Sequence, residues 1–216
     1  MNFLKREIEE YAEGHTSPES DVLSRLNRET HIKVMQPRML SGHLQGRLLS
    51  MISHMLKPKY ILEIGTYTGY SAICFAEGLP DGGHIDTIDI NEELEPIVSK
   101  YFEDAGCTGQ ITFHIGNALE VIPRLERRYD LVFIDADKEN YSRYFDAVFE
   151  KVSIGGFIIA DNVLWSGKVL DDSIVDTDRD TGALAAYSEK IHRDNRIENI
   201  LLPIRDGLLV GRKIAE

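Results

Sequence analysis

Cysteine, tryptophan and long apolar runs are scarce in this chain of 216 residues, which contains two cysteines and one tryptophan. Because Cys74 and Cys107 form no C-x-x-C pair, we expect neither a disulfide framework nor a cysteine-based zinc site, and a reduced compartment is favoured. The charged, amphipathic amino-terminal stretch matches neither a signal peptide nor a membrane span. We therefore expect a cytoplasmic protein with no membrane partner.

Basic residues are also in deficit, since 24 lysines and arginines face 36 aspartates and glutamates and leave a net charge of −12. This balance disfavours broad binding to nucleic acid, although it permits a local basic patch. Hydrophobic residues at 43% and charged residues at 28% are ordinary globular values. The length predicts one domain over residues 1–216, with amino-terminal helices in 1–57 and a larger core in 58–216.

What the chain does have is the stretch YILEIGTYTGYS at residues 60–71. An apolar run ending at Ile64 predicts a buried parallel strand, and the apolar spacing after Ser71 predicts a helix. Gly65 and Gly69 stand four apart, so the spacing is not the dinucleotide fingerprint. Glu63 places a carboxylate at the strand end, which suits a cationic ligand. S-adenosylmethionine carries an ammonium and a sulfonium and no phosphate, so the stretch points to that methyl donor.

From residue 59 strand-like and helical segments alternate, which predicts an α/β fold with a parallel sheet and helices on both faces. The expected strands are 59–63, 84–89, 111–115, 129–134 and 154–160. The expected helices between them are about 70–78, 91–105, 117–125 and 140–151. Two β-rich runs, 197–204 and 207–213, flank a tight turn and predict a closing antiparallel hairpin.

The amino-terminal third predicts helices that cover a sheet or form a subunit interface. Amphipathic patterns are expected to give helices at 3–13 and 19–32. Thr16 or Ser17 is expected to cap the second of these, with Pro18 in its first turn. Ser41 is expected to cap a third helix that runs to about Leu56.

Polar residues end all five expected parallel strands, at the edge where such sheets bind ligands. Asp89 is placed to hold the ribose hydroxyls of an adenosine. Asn117 and Ala118 suit the edge of an adenine. Asp135, Asp161 and Asn162 offer only oxygen ligands, which suit Mg²⁺, Mn²⁺ or Ca²⁺ rather than zinc. The alternative is that these three residues cap a turn and a helix.

Three segments, EIGTYTGYS, DADKENY and DNVLW, together resemble the cation-dependent O-methyltransferases, the family of catechol and caffeoyl-CoA O-methyltransferases. The resemblance spans about residues 35–213. It implies a Rossmann-like class I methyltransferase fold of seven strands, the last antiparallel, with extra amino-terminal helices. It also implies S-adenosylmethionine as donor, a divalent cation with Mg²⁺ first, and a homodimer.

The resemblance implies where the methyl donor binds. With Asn117 and Asp135 added for their places at strand ends, the candidate donor-binding residues are Met39, Ser41, Glu63, Gly65, Thr66, Ser71, Asp89, Asn117, Ala118, Asp135 and Asp137. The implied metal ligands are Asp135, Asp161 and Asn162.

The same resemblance makes Lys138 the catalytic base, assisted by Asp135. A nearby dication and sulfonium both favour the neutral amine that takes a proton. Trp165, Ser166 and Asp206 are the candidate acceptor contacts. The alternatives are a surface ion pair for Lys138, core packing for Trp165 and a turn role for Asp206. The Asp- and Gly-rich segment 166–181 is expected to be a mobile loop.

These residues predict a metal-dependent O-methyltransferase that acts on a catechol-like small phenol. Vicinal hydroxyls that chelate one cation would become acidic and fixed in direction at the same time. Two alternatives stay open, namely methylation of a hydroxylated uridine in tRNA and a non-catalytic module that binds S-adenosylmethionine. The acidic net charge counts against tRNA.

Overall fold

A computed structural model describes residues 6–216; residues 3–5 of the first predicted helix lie outside that range. The strands are β1 (Tyr60–Ile64), β2 (His84–Asp89), β3 (Ile111–Ile115), β4 (Tyr129–Ile134), β5 (Val152–Asp161), β6 (Ile197–Leu202) and β7 (Leu208–Lys213). Within the described residues they form a seven-stranded sheet in the order β3-β2-β1-β4-β5-β7-β6. β7 runs antiparallel to β5 and β6, whereas β4 runs parallel to β1 and β5. The predicted mostly parallel sheet with an antiparallel last strand is confirmed.

Helices lie around this sheet. They are α1 (Arg6–Gly14), α2 (Asp21–Lys33), α3 (Gly42–Leu56), α4 (Tyr70–Ala76), α5 (Glu95–Asp104), α6 (Ala118–Val121), α7 (Tyr141–Phe149), α8 (Asp172–Val175) and α9 (Arg179–Arg193). Short 3₁₀ helices cover Pro37–Met39, Glu92–Leu94, Ile122–Arg124, Lys138–Asn140 and Trp165–Leu170. Across residues 6–216 no helix combines the length and apolarity needed to cross a membrane.

The chain divides into two compact units. The amino-terminal unit comprises Arg6–Lys59 and Gly65–Asn117, and the carboxyl-terminal unit includes Tyr60–Ile64 and Ala118–Glu216. In the carboxyl-terminal unit the core strand β4 is buried on both faces, since Leu131, Val132, Phe133 and Ile134 are all 0% exposed. Burial of this kind explains why the strand is a continuous apolar run rather than an alternating one.

Several predicted boundaries need correction. Ser20 caps α2, because its hydroxyl accepts the N–H of Leu23 at 3.4 Å. The predicted cap at Thr16 or Ser17 was therefore wrong, and the Thr16 hydroxyl instead donates to Ala12 at the end of α1. Ser41 precedes α3 as predicted, but its side chain makes no capping hydrogen bond.

The carboxyl-terminal third is more helical than its composition indicates. The segment 166–181, expected to be a loop, contains most of a 3₁₀ helix, then α8 and the start of α9. Aspartates explain these helices, since Asp171 accepts the N–H of Ser173 and Asp178 accepts the N–H of Thr181. Helix α9 was not predicted, although Leu184, Tyr187 and Ile191 form a buried stripe at helical spacing.

Candidate functional site

The amino-terminal unit contains the glycine loop, defined as residues 65–69. Positive φ angles recur in it, at Gly65 (103°), Tyr67 (49°) and Gly69 (87°). The backbone N–H groups of Gly65 and Thr66 both donate to the carbonyl of Ile88, at 2.9 and 3.2 Å. The loop is therefore held against β2 through its backbone. Glycine is needed at Gly69 because its φ is positive and because a Cβ there would lie 2.6 Å from the Phe102 ring.

Asp89 ends β2 and joins the glycine loop. One carboxylate oxygen accepts the N–H of Tyr67 at 2.7 Å, and the other accepts the N–H of Asn91 at 2.9 Å. The carboxylate thus has a fixed orientation, and each oxygen keeps lone pairs for further donors. This geometry is compatible with the ribose contact predicted for Asp89.

Buried hydroxyl groups add side-chain hydrogen bonds to the glycine loop. Thr66 and Thr87 share a hydrogen bond of 2.6 Å, and Thr30 of α2 donates to Thr68 at 3.2 Å. The Tyr67 hydroxyl lies 3.2 Å from the carbonyl of Met35, and burial raises the pKa of this phenol. Thr30 and Tyr67 were not among the predicted site residues, since no local pattern links residue 30 to residue 68.

The remaining candidate donor residues differ in exposure. Ser41 and Ser71 are buried, at 7% and 6% exposed, whereas Met39 is 57% exposed. In the carboxyl-terminal unit Glu63 is fully buried and Ala118 is 7% exposed. In the amino-terminal unit Asn117 is exposed.

In the carboxyl-terminal unit the ends of β4 and β5 bring two aspartates together. The parallel register pairs Ile134 with Ala160, so the next residues, Asp135 and Asp161, lie side by side on strands about 4.8 Å apart. The N–H of Asp135 donates to the carbonyl of Ile64 at 2.8 Å. Asp161 is 3% exposed, and its carboxylate accepts the N–H of Asn162 at 2.7 Å.

Lys138 lies against this pair. Its Nζ donates to the Asp135 carboxylate at 3.1 Å and to the Tyr141 hydroxyl at 2.7 Å. The ion pair considered for Lys138 is thus present, but the side chain is only 10% exposed, not on the surface. Lys138 Nζ also lies 5.8 Å from the centroid of the Trp165 ring.

Tyr141, absent from the predicted site, is fully buried at the start of α7. Its hydroxyl donates to the backbone carbonyl of Asp161 at 3.1 Å. Burial, followed by the charges of Asp135 and Asp161, raises the pKa of Tyr141 well above its usual range. No spacing rule identifies such a residue, because its role depends on which carbonyl and which amine its hydroxyl meets.

The segment after β5 has an unusual backbone. Positive φ angles occur at Asn162 (61°), Trp165 (45°) and Ser166 (55°), and for a bulky residue such as Trp165 this conformation is costly. Asp206 stabilises it, since its carboxylate accepts the N–H of Ser166 and its carbonyl accepts the N–H of Leu164 at 2.9 Å. Two oxygens of Asp206, one of its carboxylate and one of its backbone carbonyl, therefore stabilise this segment.

Two side-chain groups of the carboxyl-terminal unit also bear on the predicted roles. The indole N–H of Trp165 is buried and has no hydrogen-bond partner among residues 6–216, so it is a donor open to a further group. Asp137 is exposed, and its carboxylate accepts hydrogen bonds from Tyr144 and Asn140. Burial and this bond to Asp137 raise the pKa of Tyr144.

The three predicted metal ligands offer only oxygen donors. In the described part of the chain no three or more histidine, cysteine, aspartate or glutamate side chains are grouped to hold a metal ion. Asp135, Asp161 and Asn162 comprise two carboxylates and one amide, so this observation does not test them. Their donors are all hard oxygens, the kind that Mg²⁺ and Ca²⁺ prefer.

Known proteins agree with the predicted family. The O-methyltransferase family model matches residues 13–214. A caffeoyl-CoA O-methyltransferase of Stellaria longipes is 32% identical over 205 residues, which cover 91% of this chain and 85% of that protein. Caffeoyl-CoA O-methyltransferase 5 of Nicotiana tabacum is 35% identical over 201 residues, or 87% and 82% of the two chains.

Solved methyltransferase structures resemble the fold of this chain. The SAH-bound methyltransferase PaMTH1 of Podospora anserina has a TM-score of 0.88 at 28% identity, covering 97% of this chain and 94% of that one. An O-methyltransferase of Bacillus cereus in complex with SAH has a TM-score of 0.85 at 26% identity, covering 96% and 97%. The chain therefore belongs to the O-methyltransferase family and is an S-adenosylmethionine-dependent enzyme of it.

Proposed function

We propose that this enzyme methylates a hydroxyl of a catechol-like phenol and requires a divalent cation, with Mg²⁺ first. The observation that carries the proposal is the buried Lys138 amine, 3.1 Å from the Asp135 carboxylate at the end of β4. An amine held there suits the removal of a proton from an acceptor hydroxyl. Relatives named caffeoyl-CoA O-methyltransferase support a phenolic acceptor.

Asp135, Asp161 and Asn162 would hold the cation. The side-by-side register of β4 and β5 supports this assignment, as does a donor set made only of oxygens. When bound, a divalent cation supplies a Lewis acid that acidifies a hydroxyl and fixes its direction. The N–H of Asn162 bonded to Asp161 at 2.7 Å keeps that carboxylate in one orientation.

Other residues of the chain prepare the acceptor. Lys138 would take the hydroxyl proton at Nζ, and the Trp165 ring beside it would give a flat aromatic acceptor an apolar wall. Ser166 and Asp206 are proposed acceptor contacts as well, with Asp206 also bracing the backbone of Ser166. By excluding water, these residues would keep the proton transfer between the hydroxyl and Lys138.

The methyl donor would be held by the residues expected from the sequence. When bound, S-adenosylmethionine supplies an electrophilic methyl group. Asp89, whose carboxylate orientation is fixed by two backbone N–H groups, would accept the ribose hydroxyls. The buried carboxylate of Glu63 would favour the cationic part of the donor. Asp137 would add a further contact.

The test is methyl transfer from S-adenosylmethionine to a panel of small catechols and a caffeoyl thioester. Each acceptor is assayed with metal-free buffer, with EDTA, and with EDTA followed by excess Mg²⁺. We expect activity that EDTA abolishes and Mg²⁺ restores. A monohydroxylated analogue of each catechol is the matched control, and it should react poorly because it cannot chelate.

Other outcomes have distinct meanings. Activity that is indifferent to EDTA would contradict the metal assignment. Absence of transfer to every phenol, with S-adenosylhomocysteine still raising the melting temperature, would contradict the proposed phenolic acceptor and favour hydroxylated tRNA.

We also propose that the chain acts in the cytoplasm as a single domain that forms a homodimer. Analytical sedimentation tests the homodimer.

A further inference from the structure

The hydroxyl of Tyr141 lies between two groups of the proposed site. It is 2.7 Å from Lys138 Nζ and 3.1 Å from the backbone carbonyl of Asp161. The side chain is 0% exposed, so water does not compete for these bonds. A buried tyrosine usually has one partner for its hydroxyl, whereas this hydroxyl connects the end of β5 to the amine of Lys138.

The direction of each hydrogen bond follows from the groups themselves. A carbonyl can only accept, so the single phenolic proton of Tyr141 is donated to Asp161. The phenolic oxygen must then accept an N–H from Lys138. The Asp135 carboxylate accepts a second N–H of the same amine at 3.1 Å. Apart from its bond to Cε, the tetrahedral Lys138 Nζ has three positions. Hydrogen bonds to Tyr141 and Asp135 occupy two of them, so the third, free position points in a single direction.

We propose that Tyr141 is a positioning residue that aims the free position of Lys138 Nζ at the acceptor hydroxyl. This inference rests on the proposed function, in which Lys138 takes the proton of the acceptor. Two acceptors, Tyr141 and Asp135, hold a flexible lysine chain in one geometry, and proton transfer requires a distance within about 2.6–3.2 Å. Without the Tyr141 hydroxyl, the amine keeps only its bond to Asp135 and can rotate away from the acceptor.

The tyrosine ring itself has a separate, purely structural task. It packs edge-on against Tyr187, with ring centroids 5.5 Å apart and an interplanar angle of 87°. Tyr141→Phe keeps that packing and removes the hydroxyl alone. Tyr187→Phe removes a hydroxyl from an equally buried neighbour, and the hydrogen bonds of Lys138 do not involve Tyr187. The two variants form a matched pair.

The experiment measures kcat and KM for a catechol at saturating S-adenosylmethionine and Mg²⁺. We expect Tyr141→Phe to lower kcat roughly tenfold to a hundredfold, since a small misplacement of a reacting group costs this much. The KM for the catechol should change little, and so should the affinity for S-adenosylhomocysteine measured by calorimetry. Tyr187→Phe should keep nearly the full kcat. Melting temperatures of both variants check that they fold.

A double-mutant cycle with Lys138→Met separates positioning from general destabilisation. If Tyr141 acts through Lys138, Tyr141→Phe will have almost no further effect on kcat once Lys138 is replaced. Effects that multiply, or a Tyr141→Phe enzyme with full kcat, would overturn the inference while leaving the proposed function intact. A wild-type enzyme inactive on every phenol would overturn the proposed function and this inference together.

Discussion

The glycine loop and the ends of β4 and β5 hold their polar groups by different means. In the glycine loop, the backbone of Gly65 to Gly69 takes up positive φ angles and donates to Ile88 and Asp89. At the ends of β4 and β5 the hydrogen bonds are made by side chains, since Lys138 donates to Asp135 and Tyr141. The glycine loop thus depends mainly on backbone conformation, whereas the ends of β4 and β5 depend on the positions of a few side-chain atoms.

This difference predicts how each region fails. A backbone site depends on whether the chain can adopt its conformation, so its failures should appear in stability and donor affinity. A side-chain site depends on single atoms, so its failures should appear in the chemical step while the fold persists. Each of the following variants is paired with a control from the same unit.

The largest effect is expected for Lys138→Met. Loss of a general base costs about 100- to 10,000-fold, so kcat should fall by that factor while the melting temperature stays near the wild-type value. Lys168→Met is the matched control, because Lys168 Nζ also lies near the Trp165 ring, at 5.9 Å, yet the side chain is exposed. Equal losses in the two variants would mean that the Trp165 environment, and not the Lys138 amine, is what the reaction needs.

Gly69→Ala should cause the largest loss of stability. A Cβ at this position would lie 2.6 Å from the Phe102 ring, and φ is +87°. Backbone strain of about 1–2 kcal/mol and overpacking of about 1–3 kcal/mol together predict a loss of about 2–5 kcal/mol in the free energy of unfolding, measured with urea.

Gly106→Ala is the control for the strain alone. Gly106 has φ +70°, but a Cβ there meets no atom within 4 Å. We expect it to cost only about 1–2 kcal/mol. If both variants lose the same free energy, the Phe102 ring moves aside at little cost and the glycine loop is not rigid.

The two regions also differ in how far the sequence predicts them. The bounds of β2, β3 and β4 agree with the predicted ranges, because each strand is a short run bounded by turn residues. Gly65, Gly69 and Asp89 could be found because glycine and a strand-end carboxylate are local signals. The conformation of Trp165 and the contacts of Tyr141 could not, since they depend on Asp206, in the turn before β7, and on Asp161, at the end of β5, arriving beside them.

The same reason explains the missed caps. Ser20, Ser17 and Thr16 are all short hydroxyl residues before α2, and sequence alone does not determine which of them meets a free N–H. Asp206 is a similar case. Its place in a tight turn was visible, but its bond to Ser166, forty residues away, was not.

Asp89→Asn tests the contribution of charge in the glycine loop. The amide keeps the shape of the carboxylate but loses its charge and one acceptor, so the bonds to Tyr67 and Asn91 cannot both persist. Hydrogen bonds to charged groups contribute about 1.5–3 kcal/mol, so the Kd for S-adenosylhomocysteine should rise roughly tenfold to a hundredfold. The kcat at saturating donor should hardly change.

Glu92→Gln is the control for Asp89→Asn, as an exposed carboxylate three residues further along. It should leave the Kd unchanged. A loss of kcat in Asp89→Asn with unaltered Kd would contradict the division between a donor-holding and a chemical region.

The smallest effect is expected where α2, which supplies Thr30 to the glycine loop, meets α5. Glu29 bonds Lys100 at 2.5 Å and Lys33 at 2.8 Å, and also accepts the Tyr101 hydroxyl at 2.7 Å. These bonds, that of Lys100 foremost, lower the pKa of Glu29 from 4.5 to about 2. The stabilisation is therefore complete above pH 4.5 and is lost as the pH falls towards 2. Screening limits this stabilisation to at most about 1 kcal/mol.

Glu29→Gln should thus be slightly less stable than the wild type at pH 7 and equal to it near pH 2. The control is Glu103→Gln, which replaces an exposed carboxylate on α5 and should follow the wild type throughout. A Glu29→Gln deficit that persists unchanged to pH 2 would mean that α2 is held by packing, and that the loop's contact through Thr30 owes nothing to charge.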